Sequence, residues 1–192
     1  MMNDDTNTNK TDYKNLDLEI ALKLDQSINY LLNSAINFRK GNEDMANLIN
    51  QLNPVLDNVE KTLDIVEEKY NQILERYRNG GSLNPDILEK FVENLENLTH
   101  VIENIKKITK NLNSEIEKHS ASISKLDETI TKLKAVNSDA SNQVMLEFEK
   151  ASAIIESNKK MLSEISKKNL ALEERLKDLL LDLDNTLNEC NH

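Results

Sequence analysis

A chain of 192 residues with 30% charged, 38% hydrophobic and 4% aromatic side chains, no Trp, three Gly and two Pro is poorly suited to a loop-rich globular domain. Its 24 Lys and Arg against 34 Asp and Glu leave a formal charge of −10, which disfavours nucleic acid and anionic lipid as partners. Over residues 106–134 lysines outnumber acids, and there the charge reads as the solvated outer face of a helix.

Residues 1–11 are polar and acidic and read as a disordered tail. They lack the basic and apolar regions of a signal peptide. No run approaches the ~18 apolar residues of a membrane helix. The sole cysteine, Cys190, permits no internal disulfide and fits a reducing compartment. A cytoplasmic protein is the expectation, with a signal-independent secretion route the alternative.

The first helix is expected from Asp12 to Arg78. Ala21, Leu24, Ile28, Leu31, Ala35, Phe38, Asn42, Met45, Ile49 and Leu52 step by three and four, and Leu56, Val59, Leu63, Val66, Tyr70, Ile73 and Tyr77 continue the beat. That alternation is the heptad, whose apolar seam must face another helix. Gly41 follows Arg39-Lys40 as at a helix end, and Asn53-Pro54 resembles a restart. The heptad phase crosses both unshifted, so one helix kinked near Gly41 and Pro54 is expected instead of three short ones.

A clear turn follows over residues 79–84. Gly80 and Gly81 allow positive φ, Asn84 caps, Pro85 suits the first helical position, and Leu83 with Leu88 form a hydrophobic staple. Helices with matching seams on either side of a short loop predict an antiparallel hairpin.

The second helix is expected to run from Pro85 to Cys190 and to be longer than the first, because no Gly or Pro follows Pro85. Its seam holds Leu88, Phe91, Leu95, Leu98, Ile102, Ile105, Thr109, Leu112, Ile116, His119, Ile123, Leu126, Ile130 and Leu133. Ala140, Val144 and Phe148 are spaced four and four, a stutter near 140–148. The heptad resumes through Ala151, Ile155, Asn158, Leu162, Ile165, Asn169, Leu172, Leu176, Leu179 and Leu183. The alternative is a reversal at residues 137–141, where poor helix formers and a capping Ser138 or Asp139 would fold the chain back into a three- or four-helix bundle. Phase continuity favours the unbroken helix.

Leu32, Leu48, Val55 and Leu74 in the first helix, and Val92, Val101, Ile108 and Val136 in the second, are apolar beside the seam. A stripe this wide implies more than one neighbouring helix, hence self-association or a helical protein partner. Asn42, Thr109, His119, Asn137, Asn158 and Asn169 interrupt the seam, and such residues set register at some loss of stability.

No chemistry-bearing constellation stands out, so no catalytic, cofactor-binding or metal-ligating residue is expected. His119 has Glu115 one turn before it but no metal-ligand spacing, and His100 falls on another face. Its protonation near pH 6 could loosen the seam. Gly80-Gly81 lies outside any phosphate-binding pattern. The sequence predicts an all-α, non-enzymatic coiled-coil scaffold or adaptor, with no nucleic-acid partner. The residues expected to carry association are Ile102, Ile105, Leu112, Ile116, Ile123, Leu126, Ile130 and Leu133, then Leu162, Ile165, Leu172, Leu176, Leu179 and Leu183. Rival readings are a membrane-acting or pore-forming effector and a filament built by overlap of the carboxyl-terminal coil.

Overall fold

The structure, a computed structural model, describes residues 5–135 and 138–190, with side chains from Lys14 onward. The described residues are all-helical, without a strand: α1 spans Asp5–Arg78, α2 Pro85–Lys134 and α3 Asp139–Cys190. α3 packs against both α1 and α2.

α1 starts at Asp5, so residues 5–11 are helix where a tail was expected. No Gly or Pro separates them from the heptad pattern, and extending an existing helix needs no new nucleus. Residues 1–4 of the expected tail lie outside the described residues, as do Val136, Asn137 and His192. Gly41 and Pro54 both sit inside α1, on exposed positions. Pro54 has no N–H to donate to the Asn50 carbonyl. The buried residues Met45, Ile49, Leu52, Leu56, Val59 and Leu63 continue the three-four step past it.

α1 ends in a Schellman motif. The Gly81 N–H donates to the Arg76 carbonyl at 3.0 Å and the Gly80 N–H to that of Tyr77 at 3.0 Å. Gly80 takes φ 91°, the left-handed conformation that glycine adopts without a Cβ penalty. α2 then opens with Asn84 as its cap: its Oδ1 accepts the Asp86 N–H at 3.1 Å.

The expected unbroken second helix is two helices. α2 stops at Lys134, with Lys132 and Lys134 in its last turn, and α3 starts at Asp139. The Ser138 Oγ accepts the Ser141 N–H at 3.2 Å, and the Ser141 Oγ accepts the Ser138 N–H at 3.4 Å. This is a capping box with serine in the position usually held by Glu or Gln. Phase continuity misled because α3 needs an apolar stripe of its own. The spacing across Ala140, Val144 and Phe148 marks the start of a new helix. With 74 residues, α1 is longer than α2 at 50 or α3 at 52, which corrects the expected order of lengths.

The helices contribute to two compact units. In the first, residues 5–44 and 119–155, the core gathers Ile28, Ala35, Leu133, Val144 and Phe148, with Phe38, Leu126 and Ile130 packed against it. In the second, residues 45–118 and 156–190, Leu56 and Leu63 of α1, Leu95 and Ile102 of α2, and Leu162 and Leu183 of α3 are all fully buried. Within this unit, partners on α1 and α3 advance together: Asp57 with Lys168, Asp64 with Arg175, Tyr70 with Thr186. These two helices therefore run in the same direction.

Candidate interaction surface

Of the fourteen residues expected to carry association, ten are buried: Ile102, Ile105, Ile116, Leu133, Leu162, Ile165, Leu172, Leu176, Leu179 and Leu183. Leu112, Ile123, Leu126 and Ile130 are half-buried. All of this cover comes from the chain's own helices. The flanking Leu32, Leu74, Val92 and Val101 are half-buried too, whereas Leu48, Val55 and Ile108 stay exposed.

Among the polar interruptions of the seam, Asn42 with His119, and Asn169, find partners across helices. The Asn42 Nδ2 donates to the Phe38 carbonyl at 2.8 Å, which turns its Oδ1 toward the His119 Nδ1 at 2.9 Å. Nδ1 therefore carries the proton and donates. The His119 ring lies 5.0 Å from that of Phe38, so this histidine is held as part of the helix packing. The Asn169 Nδ2 donates to the Ile102 carbonyl at 3.2 Å, while its Oδ1 is buried without a partner. The Thr109 hydroxyl bonds back to the Ile105 carbonyl at 2.6 Å.

Ion pairs rim the seams. The Arg175 fork takes Glu67 through two bonds, 2.7 and 2.6 Å, and Asp64 at 2.6 Å. The Glu67 hydrogen bond is the main cause that raises the Arg175 pKa. Lys168 reaches Asp57 at 2.6 Å and Glu60 at 2.9 Å. Arg39 bridges Glu147 and Glu43. Lys106 meets Glu173 at 3.0 Å. Such forks fix which turn of one helix stands beside which turn of the next.

Glu147, Glu173 and Asp57 are each held below the usual carboxylate range, chiefly by hydrogen bonds from Arg39, Lys106 and Lys168 respectively. A depressed folded-state pKa contributes stability that is present above the unfolded value and lost as pH falls through the folded one. The melting temperature is therefore expected to drop as pH falls below the ordinary carboxylate value of 4.5. Glu147→Gln is expected to flatten this acid limb, checked by thermal melts between neutral pH and about pH 3.

Among the described residues no group of three or more His, Cys, Asp or Glu is placed to hold a metal ion, and no helix is long and apolar enough to cross a membrane. A groove of about 390 Å³ between α2 and α3 is lined by Lys106, Lys110, Asn113, Ser166, Asn169 and Leu170, among others. His100 is exposed beside Glu103, and Cys190 is a half-buried free thiol.

The amino-terminal stretch of α1 is helix, as expected from Asp12, but its apolar residues before Ala21 lie outside the expected seam. Every residue from Lys14 to Ser27 is exposed, and Leu16, Leu18, Ile20, Leu22 and Leu24 are 48–60% accessible. The expected heptad begins at Ala21. The four-residue step Leu16, Ile20, Leu24 was the signal that places these residues on one helical face.

The chain is similar to the uncharacterized protein MJ0063 of Methanocaldococcus jannaschii, at 44% identity over 171 residues that cover 89% of this chain and 94% of the relative. No family model matches. No solved structure matches.

Proposed function

We propose, for a chain that belongs to one family with MJ0063 of Methanocaldococcus jannaschii, the function of a non-enzymatic coiled-coil scaffold or adaptor. It acts by helix–helix association with itself or with a protein partner. In this reading α1 and α2 pair as an antiparallel hairpin, and within each unit α3 packs beside them. The three-four step of buried residues supports it. So do the cross-helix ion pairs, which are register devices.

The observation that carries the reading is the apolar helical surface left over after the chain has packed on itself. Leu16 to Leu24, Leu48, Val55 and Ile108 are all exposed. Helical surface of this kind is stabilised by further helices. Each resolved pKa shift moves its group toward the charged form, which suits permanent ion pairing better than proton transfer.

Sedimentation equilibrium over a concentration series tests the proposal, alone and with extract from the native cell. The expected result is a mass above the 22.0 kDa of one chain. A 22.0 kDa species at every concentration, with nothing bound from extract, would remove it.

A further inference from the structure

Resting on that reading, we infer that residues 14–27 of α1 are the self-association surface, and that two copies pair through it antiparallel about Ile20. This segment is helical with all fourteen positions exposed, next to Ile28, which is 5% accessible. The apolar stripe that Ile28, Leu31 and Ala35 turn into the core therefore continues after its cover has ended.

Among the described residues neither α2, which stops at Lys134, nor α3, which begins at Asp139, covers it. Lys14 and Lys23 stand against Asp17, Glu19 and Asp25, the wrong balance for an anionic lipid surface, which favours a helix rich in Lys and Arg.

The segment does suit its own copy. Leu16, Ile20 and Leu24 are four apart and share one face. Turned end for end about Ile20, the same face lays Leu16 level with the second copy's Leu24 and Ile20 level with itself. Glu19 and Lys23 flank that face on one side. They pair within the helix at 2.8 Å, with side chains 61% and 72% accessible, and so are free to exchange. Antiparallel pairing puts each Glu19 beside the other copy's Lys23, two symmetric opposite-charge contacts of an isologous interface. Leu18 and Leu22 stand roughly 160° around the helix from Ile20 and Leu24, at 100° per residue, and fall outside this contact.

Light scattering on the full chain reads the pairing. The intact protein is expected at twice 22.0 kDa and Ile20→Glu at the single-chain mass with unchanged helicity, because Ile20 is exposed in its own chain. Leu22→Glu is expected to remain paired. Cysteine cross-linking in a Cys190→Ser background reads the direction. Ile20→Cys is expected to form a disulfide dimer under mild oxidant. Leu16→Cys alone is not, since antiparallel copies hold those positions about 12 Å apart, beyond disulfide reach.

An assembly that survives Ile20→Glu would overturn this inference and leave the scaffold reading standing. A Leu16→Cys dimer as abundant as the Ile20→Cys dimer would overturn the antiparallel arrangement. Binding to neutral lipid vesicles that Ile20→Glu abolishes, with no pairing in solution, would assign the segment to membrane instead.

Discussion

Ending the chain after Lys134 is expected to abolish cooperative thermal unfolding. α3 supplies ten buried apolar residues, from Val144 through Leu162 to Leu183. Each such side chain contributes about 1.5–3 kcal/mol when fully buried, for residues of Val to Phe size. Net domain stability is only about 5–15 kcal/mol, so losing the whole helix exceeds what the remaining contacts supply. Leu56, Leu63, Leu95 and Ile102 would face water, and Asp57, Asp64 and Glu67 would lose Lys168 and Arg175. Circular dichroism should show a broad, shallow melt, and residues 139–190 added as a separate peptide should restore a sharp one. A sharp melt of the truncated chain at the intact chain's temperature would show that α3 contributes little to its neighbours.

The second large effect has the opposite sign. Pro54→Ala is expected to stabilise by up to about 3 kcal/mol, the usual cost of an interior helical proline. The substitution restores a donor for the Asn50 carbonyl and removes the ring's clash with it. The position is exposed, so no packing is lost. For a chain of this size the melting temperature should rise by roughly 6–12 °C. Gly41→Ala is the smaller companion. A Cβ there meets nothing within 4 Å, and the gain is about 1 kcal/mol from helix propensity. Differential scanning calorimetry reads both. No gain at Pro54 would mean that α1 is bent or opened there to suit its neighbours, and that alanine loses that fit.

Much of the fold was legible because a helix repeats its burial. The step through Leu88, Leu95, Ile102, Ile105 and Ile116 could be read directly, as could the Gly80 and Asn84 punctuation of the first turn. The second turn was harder for a physical reason. Residues 135–138 contain no Gly or Pro, and the device that starts α3 is a pair of serine side chains. Ser138 is a possible cap from sequence, but Ser141 is not the Glu or Gln of a usual capping box, so the pair was weaker evidence than the unbroken phase. The apolar spacing alone also fits a stutter, since both are local changes of phase.

The candidate surface was less legible. A stripe says that something faces it, not which helix does so. Ile102 and Leu176 therefore read as residues awaiting a partner, yet they are buried by the chain's own helices. The half-burial of Val92 and Val101 fits a third helix from the same polypeptide. Conversely, Leu16 and Ile20 precede the first clean heptad, yet they are among the exposed residues.

The contacts between α1 and α3 join residues 108 to 116 positions apart. On a ribosome, Arg39 or Tyr70 leaves the exit tunnel long before Glu147 or Thr186 exists. At about 5–20 residues per second, the α1 stripe waits on the order of 5–20 s for its α3 partner. During synthesis, therefore, the greasy edge of the first helix stands open to chaperones and to neighbouring nascent chains, with α2 as its only early shelter.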